Sequence, residues 1–156
     1  MRIALLALAG LLSSCSKPAV APPADRPPPA TPTLSERLAQ EWANRDKADP
    51  STTKVIEALT AAGLALTDQR QQSAASLGAS YCVMLNSSEH VMLSICEFPD
   101  PQRASEGAET SRRALRQIEG RTVDVKRSTV LAVIDSQAND ASAAIRTKAR
   151  AAFDAL

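Results

Sequence analysis

The sequence predicts an α+β fold, in which a small antiparallel sheet of about four to five strands has helices packed mainly on one face. Three observations support this prediction. From residue 34 onward, segments with an apolar residue every three or four positions alternate with segments in which every second residue is apolar. Single helices interrupt the strand-like segments, and the links between them are short. We therefore expect residues 34–156 to form a single globular domain.

A first helix is predicted to begin directly after Thr33. Thr33 and Glu36 have the spacing of a capping box, in which each side chain bonds the backbone N–H of the other residue. Apolar residues then recur at four-residue spacing: Leu34, Leu38 and Trp42. The helix is expected to continue to about Lys47, with its opposite face in solvent.

A second helix is predicted after Pro50 and Ser51, where the chain restarts. Its apolar residues are Val55, Ile56, Leu59 and Ala62. Gly63 is a natural left-handed stop at its C-terminal end. A strand is expected to begin within residues 64–67, whereas residues 69–76 are polar and without a period, which predicts a loop.

Residues 79–98 predict a β-hairpin, because apolar residues recur here at every second position. Cys82 and Cys96 lie on the two arms at positions that can pair around a short loop near Glu89. The same register pairs apolar residues on the other face: Val83 with Ile95, and Leu85 with Leu93. The sequence therefore predicts a disulfide between Cys82 and Cys96. A redox-active pair, which lacks the Cys-x-x-Cys spacing, and two unpaired thiols are the alternatives.

The remaining elements are a helix, two strands and a last helix. Asp100 and Pro101 supply a cap and a first-turn proline, and apolar or small residues follow at helical spacing: Ala104, Ala108, Ser111, Leu115 and Ile118. Gly120 is expected to end this helix. Residues 122–125 and 129–134 are rich in β-branched residues and predict two strands, with one long bent strand as the alternative. The last helix has an apolar stripe of Ile145, Ala149, Ala152, Phe153 and Leu156.

The N-terminus has the pattern of an export signal that ends at a cysteine. Arg2 precedes an apolar run over residues 3–12, which is too short to span a bilayer. Leu12-Ser13-Ser14-Cys15 resembles the lipobox of bacterial lipoproteins. The resemblance implies that residues 1–14 are a signal peptide and that Cys15 becomes an acylated first residue, carrying a diacylglyceryl thioether and usually an amide-linked acyl chain. The alternative is an ordinary signal peptide cut near Ser14, which leaves Cys15 as a free thiol.

The lipobox resemblance also predicts a location. Ser16 replaces the aspartate that is often associated with retention in the inner membrane, which favours the outer membrane, with the domain facing the periplasm. The inner membrane and the cell surface stay open as alternatives. Two or more acyl chains anchor a protein far more firmly than one.

Residues 15–33 predict a lipidated cysteine followed by a proline-rich tether. They contain seven of the ten prolines in the chain: Pro18, Pro22, Pro23, Pro27, Pro28, Pro29 and Pro32. Because proline fixes φ and removes amide donors, we expect an extended coil that reaches about 50 Å from the lipid. The alternative is a ligand for a proline-binding groove, since Pro29 and Pro32 have Pro-x-x-Pro spacing.

Charge and composition exclude several classes of partner. Removal of residues 1–14 takes away Arg2 and no acidic residue, which leaves 17 basic residues against 17 acidic ones. A formally neutral chain argues against a nucleic acid partner, because binding to phosphates requires a basic excess. The few aromatic residues argue against a stacking platform for bases and against sugar binding.

The sequence predicts no catalytic residue, no cofactor and no metal ligand. His90 is the only histidine and is expected to be exposed near the hairpin turn. The sequence contains no Gly-x-Ser-x-Gly motif that would place a serine nucleophile for it to activate. Acidic residues are plentiful, but nothing singles out two of them as a catalytic pair. The one basic concentration is either a solvated helix face or a contact surface for an anionic partner: Arg112, Arg113, Arg116, Arg121, Lys126 and Arg127.

These observations favour a lipid-anchored envelope protein with a non-catalytic domain that binds or scaffolds another envelope component. The expected partners are the membrane, through the N-terminal lipid, and that component. One alternative is a periplasmic enzyme that uses acidic residues. The other is a carrier of a small apolar molecule, which would require a cavity between the sheet and the helices.

Overall fold

The structure is a computed structural model that describes residues 31–156. The predictions for the signal peptide, for Cys15 and for most of the proline-rich tether lie outside these residues. The helices are α1 (Leu34–Ala43), α2 (Thr52–Ala61), α3 (Pro101–Ala114) and α4 (Asp140–Asp154). The strands are β1 (Leu66–Gln72), β2 (Tyr81–Ser87), β3 (Val91–Glu97), β4 (Gly120–Lys126) and β5 (Thr129–Asp135). In the described part of the chain, no helix is long and apolar enough to cross a membrane.

The five strands form one antiparallel sheet in the order β1-β2-β3-β5-β4. Side chains on one face of the sheet, here called the core face, pack against α2 and α4, including Val83, Leu93, Ile95, Leu131, Val55, Leu59 and Phe153. The other face, here called the α3 face, packs against α3 through a second cluster that includes Cys82, Cys96, Val130, Ala104 and Ala108. α1 also lies on the core side, where it contacts Gln71 and Tyr81. Three of the four described helices therefore lie on one side of the sheet, and the predicted α+β fold is confirmed.

α1 begins as predicted and is less buried than its sequence pattern suggests. Both halves of the capping box between Thr33 and Glu36 are formed, but the helix ends at Ala43 rather than near Lys47. None of its residues is buried, and Leu34 and Trp42 are 55% and 47% exposed. The apolar stripe does not enter the core, since α2 and α4 already cover the centre of the core face.

Specific polar and aromatic contacts hold α1 beside the sheet edge. Gln71 of β1 donates from Nε2 to the Leu38 carbonyl oxygen at 2.7 Å, and Glu41 Oε1 accepts from the backbone N–H of Ala74 at 3.0 Å. The Trp42 ring packs edge-on against Tyr81, with 6.0 Å between ring centroids. These contacts, rather than burial of the stripe, position the helix.

β1 is longer than the sequence indicates. It includes residues 69–72, so the loop predicted for residues 69–76 is wrong for its first half, and a short 3₁₀ helix, Ala75–Leu77, follows. The strand lies at the edge of the sheet and pairs only with β2, with a register shift between Thr67 and Arg70. Because most of its side chains are exposed, no apolar period marks it as a strand.

The central hairpin has the predicted register. Cys82 pairs with Cys96, Val83 with Ile95 and Leu85 with Leu93. A short 3₁₀ helix, Ser88–His90, makes the turn between β2 and β3. The alternation of apolar residues in the sequence therefore predicted the pairing of β2 with β3 correctly.

α3 has the predicted start and a different end. Asp100 accepts from the N–H of Arg103 as the N-cap, and Pro101 is the first helical residue, but the helix ends at Ala114. Gly120 was expected to end α3 and instead begins β4, opposite Asp135 of β5. A Cβ at Gly120 would lie 2.5 Å from the Asp135 carbonyl oxygen, so the glycine permits close approach of two strands. Residues 120–135 form two strands, not one bent strand.

Candidate binding groove

The structure brings Cys82 and Cys96 together on the α3 face, near one end of β2 and β3. Their sulfur atoms are 2.05 Å apart, the distance of a disulfide bond. Both residues are buried beneath α3, in a cluster with Ala104, Ala108 and Phe98. The pair lies in a packed apolar cluster. Within the described residues, no lysine or arginine forms a hydrogen bond with either sulfur atom, and the contact that Cys96 Sγ makes is with Ser94 Oγ at 3.8 Å. This environment is that of a structural pair rather than a reactive one.

His90 is exposed in the turn between β2 and β3. In residues 31–156, no group of three or more His, Cys, Asp or Glu side chains could hold a metal ion.

The basic concentration divides into two parts. Arg112 donates to Glu109 at 2.5 Å and to the Val123 carbonyl oxygen at 2.8 Å, so it is held against the edge of β4. Lys126 and Arg127 are also engaged, by the Asp154 carbonyl oxygen and by the Asp49 carboxylate. The other three form no ion pair within the described part of the chain, although Arg121 donates to the Ile118 carbonyl oxygen and Arg113 donates to the Thr110 hydroxyl at 3.1 Å: Arg113, Arg116 and Arg121.

α3 covers only part of its sheet face, and an open groove of about 340 Å³ lies beside it. This feature, here called the α3-side groove, is lined by Gln72, Ser76, Leu77, Met84, Met92, Ser94, Ser111, Ala114, Leu115, Ala132 and Ile134. Small-molecule sites typically measure about 300 to 1,000 Å³ and are mostly apolar with a few polar groups. The volume and lining of the groove fit that description.

Methionine is concentrated in this groove. The chain has three methionines, of which Met1 begins the sequence and Met84 and Met92 both line the groove. Both side chains are only partly buried. Methionine has a flexible, polarizable side chain and is over-represented at adaptable binding surfaces.

The register of the sheet explains the groove floor. Met84 pairs with Ser94, which pairs with Ala132, and Met92 pairs with Ile134. Directly paired residues point to the same face, so these five side chains form two short rows on the α3 face. A few polar atoms interrupt the apolar floor, since Ser94 Oγ donates to Gln72 Oε1 at 3.3 Å.

The chain matches no protein family model, no curated protein and no solved structure.

Two buried carboxylates, which the sequence reasoning missed, lie at opposite ends of the core face. Glu97 ends β3 and Asp135 ends β5, and each is 1% exposed. A signal was present in the sequence, because Glu97 continues the alternating set of Leu93 and Ile95. Asp135 continues the set of Leu131 and Val133 in the same way.

Glu97 fixes the chain that enters α2. Its carboxylate accepts from the backbone N–H groups of Asp46 at 3.0 Å, Lys47 at 3.2 Å and Thr52 at 2.6 Å, and from the Thr52 hydroxyl. A cavity of about 250 Å³ borders it. Because protein donors surround its oxygens, the carboxylate acts as an anchor for α2.

Asp135 has the same kind of role at the start of α4. Its Oδ1 accepts from the backbone N–H groups of Gln137 and Ala138, each at 2.9 Å, and its Oδ2 accepts from the Ser142 hydroxyl and the Arg146 guanidinium. The Ser142 hydrogen bond is the main cause that lowers the pKa of Asp135 below its ordinary value, and the backbone N–H groups and Arg146 add to it, while burial opposes it.

These carboxylates do not form a catalytic pair. In β5, the partner of Glu97 is Thr129, six positions from Asp135, a separation of about 20 Å along a strand. Neither residue lines the α3-side groove. The cavity beside Asp135 measures about 380 Å³ but is lined mainly by polar residues, so the more apolar α3-side groove is taken as the candidate site.

Proposed function

We propose that this chain is a lipid-anchored protein of the bacterial envelope, with a non-catalytic domain that faces the periplasm and binds another envelope component. The α3-side groove is the observation that carries the binding role. It provides an adaptable apolar surface with polar atoms at intervals, on the side of the sheet that α3 leaves partly open. The lipobox sequence supports the anchored location.

The residues around the groove favour binding over catalysis. Its polar members are Gln72, Ser76, Ser94 and Ser111, and none of them has a histidine or carboxylate as a hydrogen-bond partner in the described chain. A serine nucleophile normally needs an adjacent general base. The buried carboxylates Glu97 and Asp135 are engaged as helix anchors at other places.

The groove also favours a second candidate, a carrier of a small apolar molecule. That function requires a cavity between the sheet and the helices, and the groove lies between β2, β3, β5 and α3. In both candidates the same residues make the contact, and the two differ in what the groove holds.

The anchor is tested by Cys15→Ala in intact cells. We expect the unaltered protein to partition with membranes and the variant either to be released or to accumulate unprocessed, because the acyl chains provide the attachment. Retention in membranes of a variant that is correctly cut would contradict the lipoprotein proposal.

The binding role is tested by growing cells with a photoreactive diazirine analogue of methionine. Once residues 1–14 are removed, Met84 and Met92 are the only methionines, so the label is confined to the groove. We expect irradiation to crosslink the protein to a defined envelope component. A matched control carries Met84→Leu and Met92→Leu with Thr147→Met, since Thr147 is exposed on α4, which packs on the core face. Equal crosslinking to the same component by the control would contradict a binding role for the groove.

A further inference from the structure

We propose that the α3-side groove binds the alkyl chain of a monomeric anionic amphiphile, of which a free fatty acid is the simplest example, with the carboxylate of the ligand at Arg121. This inference rests on the proposed binding function and names the class of ligand. It follows from the positions of two arginines relative to the apolar floor.

The sheet register places an arginine beside each apolar row. Arg70 pairs with Met84, and Arg121 pairs with Ile134. Because paired residues share a face, both arginines belong to the α3 face, on strands that flank the floor. The floor lies on β2, β3 and β5, while Arg70 and Arg121 come from the outer strands β1 and β4. Neither arginine lines the groove itself, but each pairs directly with a residue that does, so the apolar floor has a permanently charged residue beside it on each side.

Neither arginine is neutralised by an acid in the described part of the chain. Arg121 is half-buried and donates to the Ile118 carbonyl oxygen, a neutral partner, while Arg70 is exposed and forms no ion pair. A guanidinium group stays charged at any physiological pH and binds a carboxylate through two parallel hydrogen bonds. Both ends are thus able to receive an anion.

The β4 end has the stronger positive charge. Asp68 is an acidic residue on β1, the strand of Arg70, and its Oδ2 accepts from Asn86 at 3.2 Å. Arg113 is in the last turn of α3, and Arg116 lies in the segment that leads from α3 to β4. Neither forms an ion pair in residues 31–156. The adjacent Glu119 lines a different cavity, together with Gly120 and Asp135. The carboxylate of the ligand is accordingly assigned to Arg121.

The size of the groove fits a small amphiphile. Its volume of about 340 Å³ falls at the lower end of the range for small-molecule sites. The flexible side chains of Met84 and Met92 can follow an alkyl chain, which has no fixed shape of its own.

The test uses the full-length, processed protein in vesicles of zwitterionic phosphatidylcholine. Two photoreactive probes are compared: hexadecanoic acid and hexadecanol, each with a diazirine on the alkyl chain. We expect the acid to label the segment that contains Met84 and Met92, and unlabelled hexadecanoic acid to compete for this labelling. Arg121→Gln should lower labelling by the acid about tenfold and leave labelling by the alcohol unchanged, because only the acid uses the guanidinium.

Three variants make the result specific. Arg121→Lys should restore part of the labelling by the acid, since it keeps the charge and loses the two-pronged geometry. Arg37→Gln is the control for loss of a positive charge, because Arg37 likewise forms no ion pair in the described residues but is exposed on α1, on the other side of the sheet. Met92→Glu should remove labelling by both probes, and its far-UV circular dichroism and melting curve report whether it is folded.

Two results would overturn the inference. One is equal labelling by acid and alcohol that does not respond to Arg121→Gln. The other is labelling of the folded protein outside the groove. If the methionine photolabel nevertheless captures an envelope protein from cells, the proposed binding function stands while the fatty acid assignment fails.

Discussion

Glu97, the last residue of β3, accepts hydrogen bonds from both the backbone N–H and the hydroxyl of Thr52, the first residue of α2. The same carboxylate receives the N–H groups of Asp46 and Lys47. One side chain thus satisfies donors of the segment between α1 and α2 and fixes the start of α2 on the core face.

We expect Glu97→Gln to lower the free energy of unfolding by about 2 to 4 kcal/mol. A glutamine keeps one acceptor oxygen and turns an NH₂ group toward buried donors, and hydrogen bonds to charged groups contribute about 1.5 to 3 kcal/mol each. Urea unfolding measures the change. Glu57→Gln, on the exposed side of α2, is the control and should stay within about 0.5 kcal/mol of the parent. Equal effects of the two substitutions would show that Glu97 has no anchoring role.

The lowered pKa of Asp135 predicts a pH-dependent contribution to stability. Its folded-state pKa lies below the ordinary value of 3.8, so the ionised form stabilises the fold above that value. This stabilisation is lost as the pH falls through the folded pKa. Asp135→Asn should therefore be less stable than the parent at pH 7, and the difference should shrink as the pH falls below 3.8.

Urea unfolding of parent and variant at a series of pH values gives this difference directly, because other carboxylates titrate alike in both proteins. Glu119→Gln provides a control at an exposed position near the same cavity. A difference between Asp135→Asn and the parent that is independent of pH would contradict the prediction.

The Cys82 and Cys96 pair should be oxidised in exported protein and should stabilise the domain. The two residues are separated by 14 positions and lie directly opposite each other in β2 and β3. Closing a loop of this length in the unfolded chain stabilises a protein by about 2 to 4 kcal/mol. The double substitution to alanine should lower stability by that amount while binding at the groove persists in protein that remains folded.

Thiol-reactive mass labelling without a reductant checks the oxidation state. Two freely labelled cysteines in native exported protein would contradict the disulfide. Loss of function without loss of stability in the double variant would instead favour a redox role.

Gly107 is predicted to be intolerant of a side chain. A Cβ at this position would lie 2.3 Å from two ring carbons of Phe98, which is 2% exposed and has little room to move. Overpacking of this kind typically costs about 1 to 3 kcal/mol. We expect Gly107→Ala to lower the melting temperature, whereas Ser105→Ala on the exposed side of α3 should have little effect.

A double-mutant cycle identifies the cause. Phe98→Leu should offset part of the Gly107→Ala penalty, because it removes the ring that the new methyl group meets. Strictly additive effects would mean that the contact with Phe98 is not responsible.

The hairpin register followed from the sequence because alternation has a period of two, and a shift of one residue would turn every side chain to the other face. The same argument places Met84 and Met92 on the face of Cys82. It does not show how much of that face a helix covers. That coverage depends on where α3 crosses the sheet, which local patterns do not encode.

The strand order and the exposure of α1 could not be predicted from local sequence patterns for a similar reason. β5 enters the sheet between β3 and β4, which needs long-range pairing that neither strand signals alone. The stripe of Leu34, Leu38 and Trp42 has the spacing of a core-facing helix, yet spacing cannot distinguish a place at the centre of the sheet from one at its edge. The burial of Glu97 and Asp135 could have been predicted from the sequence, because each continues a set of buried residues at every second position of its strand. The sequence reasoning missed them because it treated acidic residues as exposed.

The loose attachment of α1 has a mechanical consequence. A pull along the N-terminal segment enters the domain at Thr33 and acts first on α1, which has no buried residue and is fastened mainly by Gln71, Glu41 and Trp42. The hydrogen-bonded strands of the sheet come later in the chain than α1. We therefore expect such a pull to unfold α1 before the sheet, with each residue lengthening from about 1.5 Å in a helix to about 3.3 Å when extended. The sheet and its groove would then stay folded while the N-terminal segment extends.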